Sequence, residues 1–132
     1  MEITDDATGE PTTVNVNTTW YSTNGNLDYC KFSEAFVGSN GVTYKIEKAQ
    51  LIGNRGTYDY SARIYHPDHG DVAVTTNAAL AYNCSAGFPS AGEGSFSDGN
   101  GNSVTVTFDN CSRFSWTYQD STGATTSGTG TY

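Results

Sequence analysis

From Val14 onward, apolar and polar residues alternate with a period of two, and turn-forming Gly and Asn clusters interrupt the alternation. Successive side chains of a strand point to opposite faces, so each such run reads as a half-buried strand. The cleanest is Tyr58, Tyr60, Ala62 and Ile64. Val14, Val16, Thr18 and Trp20 alternate with Asn15, Asn17 and Thr19, and Cys30, Phe32, Glu34 and Phe36 alternate with Tyr29, Lys31, Ser33 and Ala35. Val42, Tyr44 and Ile46 continue the pattern, which loosens over Lys48 to Ile52. Val72, Val74 and Thr76 follow, then Val104, Val106 and Phe108, and last Phe114, Trp116 and Tyr118. Asn24-Gly25-Asn26, Ser39-Asn40-Gly41 and Gly53-Asn54-Arg55-Gly56 supply turns between these runs. Roughly eight or nine short strands at this spacing predict an all-β, antiparallel β-sandwich, with a small β-barrel as the alternative. Parallel βαβ winding is disfavoured because no amphipathic helix separates the strands.

A chain of 132 residues has room for one domain. Residues 1–11 form a polar, acidic N-terminal segment with little to bury, and 12–132 form the single β domain. Six Lys and Arg against fourteen Asp and Glu give a formal charge of −8, which repels a phosphate backbone and excludes nucleic acid as a partner. No apolar run is long enough for a membrane-spanning helix. The first residues, Met1 to Asp6, show neither the basic start nor the apolar stretch of a leader, so an exported chain is read here in its mature form.

There are three cysteines, and two of them sit in repeated Asn-Cys-Ser tripeptides, Asn83-Cys84-Ser85 and Asn110-Cys111-Ser112. These flank one hairpin unit built around Asp98-Gly99-Asn100-Gly101-Asn102. A Cys84–Cys111 bridge is therefore the favoured pairing, closing a loop of roughly 27 residues for about 3 to 4 kcal/mol. Cys30 is then buried and free, or pairs between chains; three reduced, buried thiols are the alternative. A disulfide predicts an extracytoplasmic setting, whether secreted, periplasmic or on the cell surface.

Chemistry-bearing clusters are few. His66, Asp68, His69 and Asp71 gather two imidazoles and two carboxylates in one loop, a donor set suited to zinc, although the same residues also make an ordinary polar turn. Asp98-x-Asn100-x-Asn102 copies the start of a calcium loop, but Ser103 replaces the sharp-turn glycine and a hairpin turn accounts for it better. No Gly-x-Ser-x-Gly elbow and no cysteine with a base partner is present, so no catalytic residue is assigned and no enzyme activity or cofactor is expected. The aromatic content is high: two Trp, nine Tyr and six Phe. Trp20, Tyr21, Tyr65, Trp116 and Tyr118 are candidates for a platform on which sugar rings stack. The competing reading is a core, since Tyr58, Tyr60, Trp116 and Tyr118 share the phase of Ile64, Val104 and Val106.

The run Ala62-Arg63-Ile64-Tyr65-His66-Pro67, Gly70, Val72-Ala73-Val74-Thr75-Thr76, Cys84, Pro89 and Val104 to Cys111 resembles uncharacterised exported or lipoprotein-type β domains of Gram-negative bacteria. The resemblance covers about half the chain and implies an envelope or extracellular setting and a cysteine pair, with no catalytic residue carried over. The function expected is a non-enzymatic surface, protein-interaction or self-assembly domain. A carbohydrate-binding module is the first alternative, and a small metal-dependent enzyme at the His66 to His69 loop the second.

Overall fold

The computed structural model describes residues 2–4, 11–13, 15–23, 27–38 and 40–132, and side chains from Tyr29 onward except at position 39. Val14, the turn at Asn24 to Asn26, and Ser39 lie outside the described residues. Among the described residues, eleven strands form two antiparallel sheets. Two short strands, β1 (Glu2–Thr4) in the acidic N-terminal segment and β2 (Pro11–Thr13) across its boundary with the domain, pair with each other; Met1 and residues 5–10 are outside the description.

The second sheet has nine strands: β3 (Asn15–Thr23), β4 (Leu27–Val37), β5 (Thr43–Asn54), β6 (Thr57–His66), β7 (Gly70–Ala81), β8 (Ala91–Asp98), β9 (Ser103–Asn110), β10 (Arg113–Gln119) and β11 (Thr125–Thr131). Each strand pairs only with the next in sequence, so the sheet is a continuous meander whose edges are β3 and β11. It is not closed. The all-β, antiparallel expectation holds, but the nine strands form one open sheet.

Register carries the alternation from strand to strand. Ile46 pairs with Ile64, Ala62 with Val74, Val74 with Phe96, Phe96 with Val104 and Val104 with Tyr118, so these residues share one face. Arg63, Ala73, Ser97, Ser103 and Gln119 share the other. The loosened pattern after Ile46 is a β-bulge in β5: Phe32 pairs with Ala49 and Glu34 with Ile46, two steps against three. Lys48 takes up the extra residue at φ 54°, which returns Ala49 to the apolar face. Two further irregularities in β7, between Thr76 and Ala81, do the same for Leu80, which faces Tyr58.

The buried cluster is small and central, made of Ala49, Ala62 and Val74 on three adjacent strands, with Phe32, Ile46, Tyr60, Ile64 and Val72 packed around it. These small residues are covered well, at 1%, 8% and 5% exposure, as is Cys30 at 3%, whereas Phe96 and Tyr118 on the same face each keep 37%. Side-chain neighbours within one sheet shield a short residue but cannot shield a long one, so the larger rings stay partly open.

At one end of the sheet the cysteines pair as favoured: Cys84 and Cys111 are bonded, with Cα atoms 5.4 Å apart, and Cys30 is free and buried. Phe88 in the same loop stacks on Tyr132 at 4.6 Å, and the Tyr132 hydroxyl lies 3.1 Å from Pro89 O and 3.2 Å from Asn110 O. The C-terminus is thereby tied to the bridged loop.

Candidate functional site

The two faces of the large sheet differ in chemistry. The polar face is a ladder of satisfied groups: Asn77 donates to Glu93 at 2.8 Å and Ser95 at 2.6 Å, and Thr107 donates to Glu93 at 3.0 Å. Arg63 pairs with Asp71 at 2.6 Å, and Lys45 pairs with Glu47. Both pairs are open to solvent screening and add little to stability.

The apolar face carries few charges. Glu34 stands in β4, with His66 and Asp98 at strand ends. Its ring contacts run sideways between neighbouring or next-but-one strands, as with Phe32 and Tyr60 at 6.5 Å, Tyr58 and Tyr82 at 6.3 Å, and Phe36 and Tyr44 at 5.3 Å. Burial pushes the Tyr60 phenol above its ordinary pKa, helped by the Glu34 carboxylate and by Tyr82. The hollow in the middle of this face is lined by Tyr60, Ile64, Val74, Leu80, Phe96 and Val106 among others and measures about 210 Å³. Two further hollows, beside Asp98 and Tyr118 and beside Asp59 and Gln50, measure about 200 and 210 Å³. None of the three reaches the roughly 300 Å³ at which small-molecule sites begin. Among the described residues the apolar face itself, with Phe96 and Tyr118 each 37% exposed, is the candidate surface.

The proposed sugar-stacking residues are not brought together. Trp116 and Tyr118 lie on the apolar face of β10, whereas Tyr65 pairs with Asp71 and belongs to the opposite face of β6. Trp20 and Tyr21 pair with Cys30 and Tyr29 on edge strand β3; their side chains lie outside the described residues. At about 4.8 Å per strand, β3 and β10 are about 34 Å apart along the sheet. Beside Tyr118 the groups that would bond a sugar hydroxyl are engaged internally. Asn102 Oδ1 accepts from Tyr118 at 3.2 Å and from the Ser121 amide at 3.1 Å, and the Asp98 carboxylate accepts from Asn100 and Asn102.

In the histidine loop the His66 and His69 rings do meet, with centroids 4.4 Å apart, and Tyr44 packs edge-on against His66 at 5.3 Å. One ring nitrogen of His66 and the Asp71 carboxylate are already engaged. The Asp68 amide donates to His66 Nδ1 at 3.1 Å, and Asp71 is held by Arg63. Among the described residues no three of His, Cys, Asp and Glu gather as a metal-holding group. The calcium-like start at Asp98 is a hairpin turn: its carboxylate takes the Asn100 amide at 2.8 Å, the Asn102 amide at 2.9 Å and the Asn102 side chain at 2.8 Å.

No protein-family model, curated protein or solved structure matches the chain. No helix among the described residues is long and apolar enough to cross a membrane.

Proposed function

We propose that the chain is a non-enzymatic, extracytoplasmic interaction domain that works through the apolar face of its open sheet, in surface structure or self-assembly. One observation carries this reading: a sheet with one apolar face normally buries that face against another layer, and here Phe96 and Tyr118 remain 37% exposed on it. Contiguous apolar surface of several hundred Å² marks interaction sites. The Cys84–Cys111 bridge is compatible with an oxidising compartment and supports the extracytoplasmic part.

Titration with the apolar dye anilinonaphthalene sulfonate, run with light scattering on the same samples, tests it. A saturable dye signal, or a mass of two or more chains, supports the reading. A chain that neither binds dye nor associates would contradict it.

A further inference from the structure

We infer that the partner covering the apolar face is a second copy of this chain, laid face to face across a two-fold axis so that two open sheets complete one β-sandwich. The inference rests on the interaction reading above and names its occupant.

The first argument is area. Strands lie about 4.8 Å apart and rise about 3.3 Å per residue, so the stretch from β4 to β11 spans about 35 Å by about 25 Å. That offers on the order of 900 Å² per chain, against the roughly 800 Å² per partner of a stable interface.

The second argument is charge. Two chains of −8 repel each other, but the Glu47, Asp71 and Glu93 carboxylates stand on the polar face, and Glu34 and Asp98 are the described carboxylates on the apolar one. Sheets packed about 10 Å apart hold such outward groups roughly 20 Å from their counterparts in the other copy, beyond the Debye length of about 8 Å. Face-to-face stacking therefore keeps the polar-face carboxylates out of range of their counterparts and brings together only Glu34 and Asp98 among the described strand carboxylates.

The third argument is self-complementarity. An isologous pair needs one patch that fits itself. This face sets long, partly open rings at Phe96 and Tyr118 beside a hollow of about 210 Å³ lined by Ile64, Val74, Leu80 and Val106, and so presents knobs and a hollow together. Stacked sheets interdigitate side chains of this kind when their strands are aligned within about 30°.

The test is sedimentation equilibrium on the full chain and on Phe96→Lys, Tyr118→Lys and Thr105→Lys, with circular dichroism recording the fold and dye binding recorded on each sample. Phe96 and Tyr118 are open enough in the single chain for a lysine to reach water, so both variants should fold. Expected is a two-chain mass for the wild type and for Thr105→Lys, whose position faces the polar side. Phe96→Lys and Tyr118→Lys should weaken association by at least about 100-fold, because each buries an unpaired charge in the interface. If one of these two loses its fold, the other decides. A wild type that stays monomeric at all concentrations, or folded face variants that dimerise unchanged, would overturn the inference. A monomer that binds dye would leave the interaction reading standing with a foreign partner, and a monomer that does not would remove both.

Discussion

Across the β10–β11 pairing, Trp116 lies over Gly128, where a Cβ atom would stand 2.8 Å from the indole Cζ2. Phe114 covers Gly130 on the same edge strand in the same way. Glycine costs a strand about 0.5 to 1 kcal/mol relative to alanine, yet forcing a methyl under a packed ring costs about 1 to 3 kcal/mol. The second effect wins. Gly128→Ala is expected to lower stability in urea by about 1 kcal/mol and to shift tryptophan emission to the red as the ring is displaced. An unchanged spectrum with raised stability would show that the ring is not seated there.

The Cys84–Cys111 bridge closes a separation of 27 residues and should contribute about 3 to 4 kcal/mol, chiefly by restricting the unfolded chain. Replacing both cysteines with alanine is expected to cost that amount in chemical denaturation. Cys30 is 3% exposed, and its burial pushes the thiol pKa up, so it should ignore thiol reagents in the native state and react once per chain after unfolding. Rapid native labelling would contradict its place in the sheet.

Two turn carboxylates contribute to the acid limb. The Asn102 side chain, with the amides of Asn102 and Asn100, holds the Asp98 carboxyl below its usual range. The Thr122 hydroxyl, with the Ala124 and Thr122 amides, does the same for Asp120. A depressed folded-state pKa adds stability that is present above the ordinary carboxylate value near pH ~4 and is lost as pH falls through the lowered value. Asp98→Asn and Asp120→Asn should each flatten the loss of stability on acidification. In a carbon-detected NMR titration both carboxyls should protonate below the ordinary aspartate value; midpoints at or above it would refute the turn geometry.

How much of this was legible follows from what periodicity encodes. Alternation at Tyr58, Tyr60, Ala62 and Ile64 reports which side of a strand is apolar, and the structure places those residues on one face. It does not report what covers that face, so a sandwich, a barrel and a single open sheet share one pattern. The loosened stretch after Ile46 marked the bulge at Lys48, a position where a positive φ is not written in the residue type. Grouping Trp20, Tyr65 and Trp116 by chemistry overlooked strand order and phase, which separate them. The diversion of Asp71 to Arg63 depends on the β6–β7 register and has no local signal.

The most direct test of a buried apolar face is isotope-filtered NOE spectroscopy on a mixture of labelled and unlabelled chains. Intermolecular cross-peaks to the methyl groups of Val72, Val74, Val104 and Val106 are predicted, because all four register on that face. An associated sample showing no such cross-peaks, or showing them only to Thr105, Thr107 and Thr117 on the polar side, would contradict the account.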